Sequence, residues 1–186
     1  GETVSLEFEI SREAADAFST RSHRHADAAW NEGVMDFEVI STDGIDRDEG
    51  IRVDCDLSEL KPAFTPDGRV TSGNSSQLSD GAAAVLVASR EAAEANGWPI
   101  LATLLDQCTS GVEPARVMAA PIPAIEMLLS RNDLTMDDLA YVEHNEAFAA
   151  ASCAIAKACS IPDEKFNPHG GAVAIGHPLG ATAPPC

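Results

Sequence analysis

Lysine is almost missing from the sequence. The 186 residues hold three, Lys61, Lys157 and Lys165, and 12 basic side chains in all stand against 30 acidic ones, a net charge of −18. That charge repels nucleic acid and anionic lipid, so neither is expected as a partner and no membrane association is expected. Also absent is any apolar run near the roughly 18 residues that a membrane-spanning helix needs. The five cysteines, Cys55, Cys108, Cys153, Cys159 and Cys186, are odd in number and include no CxxC pair. This excludes a secreted disulfide framework and a structural zinc site. Reduced thiols in a cytoplasmic protein are expected instead, with Cys153 and Cys159 as small core residues on different faces of one helix. No GxGxxG or GxxxxGK(S/T) nucleotide fingerprint occurs, and no internal repeat. Gly1 is not expected to be a natural start, and no signal peptide is expected, since Glu2, Glu7 and Glu9 stand where one carries its basic flank and apolar core.

What is present is the composition of a folded, very acidic domain, with 45% hydrophobic and 23% charged residues. The acids are dispersed, as in Asp43, Asp46, Asp48, Glu49, Asp54 and Asp56, then Asp133, Asp137 and Asp138. A lysine-poor acidic surface suits a protein that stays soluble in very high salt, where self-repulsion is screened. An ordinary acidic enzyme is the alternative.

Along the chain, Ser11 caps a helix that runs to Asn31 and stops before Gly33, with Ala15, Phe18, Ser22, His25 and Ala29 on one face. A short strand is expected at Phe37–Ile40, and 41–79 reads as a long loop, a length that signals function. Gly81–Ser89 is a small apolar run of the kind found in strands buried on both faces. Ser89 caps a short helix ended by Asn96-Gly97. Pro99–Cys108 is a second apolar strand candidate, Pro121–Arg131 a helix, Thr135 the start of a short turn, Ala140–Glu143 a brief strand and Ala147–Cys159 an Ala-rich helix. This alternation predicts an α/β fold.

Three segments carry the chemistry: GNSSQLSDGAAA at 73–84, HNEAFA at 144–149 and HGGAVAIGHPLGAT at 169–182. A histidine before proline in a Gly-rich turn is, by itself, either a presented imidazole or a chance surface residue. Together with SREAADAF at 11–18, RSH at 21–23, DEGIR at 48–52, LKPAF at 60–64, GVEP at 111–114 and PIPA at 121–124, they resemble the thiolases. This family comprises acetyl-CoA acetyltransferases and 3-ketoacyl-CoA thiolases. The resemblance covers nearly the whole chain.

The resemblance implies a thiolase-like layered αβαβα fold of two similar halves with an inserted loop domain, present here in part. Residues 1–75 resemble a portion of the loop domain, 76–97 the last strand and helix of the first half, and 98–186 a shortened second half. It implies acyl-CoA acyltransferase chemistry that forms or cleaves 3-ketoacyl-CoA, with acyl-CoA and coenzyme A as partners. No metal is needed, no cofactor beyond the coenzyme A thioesters themselves, and a homo-oligomer, dimer or tetramer, is expected of the full-length protein. His177 corresponds to the family's histidine that takes a proton from a thiol and donates to a thioester oxygen. Asn145 corresponds to the asparagine that holds a water in an oxyanion hole; its plainer role is to cap the helix that follows. Phe148 walls the acyl pocket or packs in the core, and Ser76 resembles a serine that contacts the pantetheine arm. Glu146 orients a neighbour or only favours a helix dipole. His23 and His25 share no helix face and read as solvated surface. His144 and His169 have no role.

The family's acylated cysteine belongs to a region before Gly1, and its second catalytic cysteine to a Cys-x-Gly loop beyond the Gly-His-Pro motif. Cys186, in APPC without a following glycine, is given no catalytic role. The chain is therefore expected to be an internal piece of a thiolase. The competing reading is a non-catalytic thiolase-like subunit or an acyl or lipid carrier.

Overall fold

The structure, a computed structural model, describes residues 1–182. Among them six α-helices form: α1 (Glu2–Glu7), α2 (Arg12–Asn31), α3 (Arg90–Asn96), α4 (Pro121–Arg131), α5 (Ala149–Cys159) and α6 (Ala172–Ile175). Short 3-10 turns lie at Pro114–Ala119, Met136–Asp138 and Asp163–Lys165.

Helices with local start and stop signals form where those signals stand. Ser11 Oγ accepts the Ala14 N–H at 3.1 Å, and Ser89 Oγ accepts the Ala92 N–H at 3.2 Å. Gly97 closes α3 in the left-handed region, φ 66°. Pro121 supplies the first residue of α4, where its missing N–H costs nothing. Thr135 opens the turn at Met136–Asp138 as expected, its N–H and Oγ1 both donating to Asp138 Oδ2 at 2.8 and 2.7 Å. Helix α1 has no such signal and is held by tertiary bonds. The Glu2 carboxylate accepts the N–H groups of Arg69 and Val70 at 2.9–3.0 Å. Arg69 Nη1 in turn donates to the carbonyls of Ser5 and Ile10.

The expected strands do not form ladders. Phe37–Ile40 is turn and coil. Gly81–Ala88 and Pro99–Cys108 carry no regular secondary structure and pair with nothing among the described residues. Their side chains face solvent, Val87 80% exposed and Leu101 82%. A strand is stabilised by a neighbour's hydrogen bonds and side chains, and none of the described residues supplies them. Ala140–Glu143 is reduced to one parallel bridge, Val142 with Phe166.

The core surrounds α5. Ala149, Ala150, Ala154 and Ile155 pack on Ala15 and Phe18 of α2, Val4 of α1, and Phe166 and Val173. Small alanines let the α2 and α5 backbones approach, and Phe166 fills the space between them. The α2 stripe passes through Ser19, Ser22, His23 and Ala26. His23 is thus buried rather than solvated, because its Nδ1 accepts the Arg52 N–H at 3.1 Å. His25 is half-buried, its Nδ1 3.3 Å from the Asn167 carbonyl. Cys153 and Cys159 are partly buried against the core, while Cys186 lies outside the described residues.

Candidate functional site

Residues 144–148 form a turn fixed from both sides. On one side Asn167 brackets His144: its Oδ1 accepts the His144 N–H at 2.7 Å and its Nδ2 donates to the His144 carbonyl at 2.9 Å. On the other side the 74–76 segment pairs with the turn. Ser76 N–H donates to the Ala147 carbonyl at 3.0 Å, and Ala149 N–H to the Asn74 carbonyl at 3.0 Å. Asn74 is buried and gives its Nδ2 to Asp16 of α2 at 2.8 Å, anchoring this segment. Ser76 is thereby laid beside the turn that carries Asn145 and Phe148. Phe148, half-buried, meets Phe64 edge-on with ring centroids 6.5 Å apart.

Helix α5 starts at Ala149 with Phe148 as its cap residue, so Asn145 does not cap it. The Asn145 side chain instead reaches His177, Nδ2 to Nε2 at 3.2 Å, across 32 residues of sequence. His177 follows α6 through Gly176, whose φ of 95° favours glycine, and a Cβ there would lie 2.1 Å from Ser79 Oγ. The 76–79 segment therefore runs past both turns. Amide and imidazole each offer a donor and an acceptor, so one side of this contact donates and the other accepts. Asn145 Oδ1 and His177 Nδ1 are buried without a hydrogen-bond partner among the described residues. Buried polar atoms left unpaired cost free energy unless a bound group engages them. An imidazole beside an amide offers both a donor for a developing oxyanion and an acceptor for a thiol proton.

Around this pair the titratable groups are strongly perturbed. Burial pushes the His144 imidazole down to about 4, so it is neutral, its Nδ1 3.1 Å from Ser152 Oγ. Burial also raises the Glu146 carboxyl, against the bonds it receives from Ser22, Asn167 and Val173. The Cys153 thiol is pushed up to about 12 by burial, which keeps it protonated and poorly nucleophilic. Of the expected site residues, His177, Asn145, Phe148 and Ser76 lie on the segments brought together here, whereas His169 is exposed. Ser22 and Asn167 were not expected, since nothing local marks a bond spanning 124 residues of chain. Among the described residues no group of three or more His, Cys, Asp or Glu could hold a metal ion, and no helix is long and apolar enough to cross a membrane.

Two family descriptions match the chain, the thiolase N-terminal domain over residues 1–91 and the thiolase C-terminal domain over 98–184. The peroxisomal 3-ketoacyl-CoA thiolase A of Candida tropicalis is 42% identical over 97% of this chain and 48% of its own length. The crystal structure of human mitochondrial 3-ketoacyl-CoA thiolase in complex with CoA superposes with a TM-score of 0.93 at 34% identity, over 97% of this chain and 47% of that one. The dimeric peroxisomal thiolase of Saccharomyces cerevisiae gives a TM-score of 0.92 at 40% identity, over 97% and 48%. This chain thus spans about half the length of the relatives it matches, and over that span its backbone follows the layered α/β thiolase fold. The expectation of a cytoplasmic protein does not stand, because the Candida and Saccharomyces relatives are peroxisomal. Free cysteines report a reducing milieu, which several compartments share, so they carried no information on address.

Proposed function

The chain belongs to the thiolase family, and from that premise we propose that it serves an acyl-CoA acyltransferase that forms or cleaves 3-ketoacyl-CoA. The observation that carries this reading is the Asn145–His177 pair, 3.2 Å apart, with one buried, unpaired polar atom on each side chain. Claisen chemistry next to a thioester needs a base for a thiol and donors for the oxyanion that develops on the carbonyl. His177 takes the proton of the nucleophilic thiol and donates to the thioester oxygen; Asn145 orients a water at the same oxygen. Phe148 walls the acyl group, and Ser76 meets the pantetheine arm. Coenzyme A thioesters are the substrates and no further cofactor takes part. The human relative's complex with CoA supports this substrate class, and the dimeric yeast relative supports a homo-oligomer. Residues 1–75 act as part of a loop domain, 76–97 as the end of the first half and 98–186 as second half.

The test uses a completed enzyme, this chain joined to the flanking residues of the Saccharomyces cerevisiae thiolase. With acetoacetyl-CoA and coenzyme A as substrates, His177→Ala lowers kcat by several orders of magnitude and Asn145→Ala by about 10²-fold. His177→Ala turning over at the parental rate would overturn the assignment.

A further inference from the structure

Glu146 is fully buried and has no part in the acyl-transfer steps above. Its carboxylate gathers three donors from three separate segments: Ser22 Oγ of α2 at 2.6 Å, Asn167 Nδ2 at 2.7 Å and the Val173 N–H of α6 at 3.2 Å. Two of these donors are themselves pinned. Ser22 Oγ accepts the Gly171 N–H at 3.0 Å. The Asn167 amide is oriented by its two bonds to the His144 backbone, so the edge it turns to Glu146 is an N–H. Space is equally tight, since a Cβ at Gly171 would lie 2.6 Å from the Glu146 carboxyl carbon. One carboxylate therefore ties the turn that carries Asn145 to the start of α6, the helix that ends at Gly176 and presents His177.

We propose that Glu146 is the positioning residue that sets the separation between Asn145 and His177. It touches neither substrate nor His177 and acts by clamping the two turns together. Why that separation matters rests on the acyl-transfer reading; the clamp itself does not. A carboxylate is acceptor-only and answers all three donors, whereas the isosteric glutamine must aim an NH2 group at one of them. A partly satisfied buried network is worse than a complete one, so the turns shift to relieve the clash. Displacement of reacting groups by about 1 Å costs on the order of 10²-fold in rate.

The decisive measurement is nitrogen-15 NMR of the histidine rings and side-chain amides in the 186-residue chain. Glu146→Gln moves the His177 ring resonances, its titration midpoint and the Asn145 side-chain amide. Ser22→Ala moves them in the same direction by less, and it decides the matter if Glu146→Gln does not fold. In the completed enzyme Glu146→Gln lowers kcat about 10- to 100-fold with KM for coenzyme A changed less than about twofold. His177 and Asn145 signals that stay at their parental positions overturn the proposal, as does a Glu146→Gln enzyme that loses thermal stability yet keeps kcat. If His177 responds as stated while the completed parent enzyme has no thiolase activity, the acyl-transfer reading fails and the clamp stands.

Discussion

His144 is packed against Phe166, the rings stacked at 6.0 Å, and burial holds its imidazole down to about 4. An unfolded histidine takes up its proton at about 6.5. Between these two values the unfolded chain binds a proton that the folded chain refuses, so this residue's contribution to stability is lost as pH falls from about 6.5 toward 4. Urea midpoints should reveal it: the advantage of the parent over His144→Gln shrinks as pH is lowered from 7 to 4.5. An advantage that stays constant would show that His144 is not neutralised by burial. Site chemistry at this scale was legible in part. His177 and Asn145 stand in short motifs whose residue types fit the proposed reaction. Glu146, Ser22 and Asn167 were not legible as a unit, because a buried carboxylate recruits its donors through space.

Helices and strand candidates behave differently in this chain. Helix α2 closes its hydrogen bonds within itself, so a serine cap and a following glycine were enough to place it. Helix α1 escaped notice because its order comes from Glu2 bonding to Arg69 and Val70. The apolar segments Gly81–Ala88 and Pro99–Cys108 carry correct strand composition, yet strand formation needs a partner edge. Unpaired apolar backbone of strand composition is a template for association. The purified chain should therefore self-associate in sedimentation velocity, and a Val87→Lys, Leu104→Lys variant should sediment more slowly. Both positions are exposed, so the variant's unfolding free energy should stay within about 0.5 kcal/mol. If the variant self-associates like the parent, these segments are not the contact. By contrast Phe166→Ala, at the centre of the core, should cost about 3–5 kcal/mol, read from the shift in the urea transition.

The chain as a whole carries −18 charges with three lysines. Salt that screens this self-repulsion should raise the unfolding midpoint steadily as KCl approaches molar concentrations. A flat or falling midpoint would leave an ordinary acidic protein. The purified chain should also show no thiolase activity when mixed with acetoacetyl-CoA and coenzyme A. The Cys153 thiol is held protonated, its Sγ directed at the Ala14 carbonyl 3.8 Å away. The Cys108 thiol faces the Ala124 carbonyl at 3.4 Å. None of the cysteines among the described residues lies on the turns that carry Asn145 and His177. Turnover that disappears only on changing Cys186 would identify a nucleophile in this chain and refute the expectation.

By itself the sequence determined the capped helices, the acidic surface and the two motifs that hold Asn145 and His177, because each is written in neighbouring residues. Tertiary structure alone decided that the Asn145 amide turns to His177 instead of capping α5, that His23 is buried against Arg52, and that one carboxylate binds α2, Asn167 and α6 together. It also decided that two apolar runs are unpaired among the described residues. The physical reason is common to all: hydrogen bonds and burial between distant segments depend on which surfaces meet, and no local pattern records that.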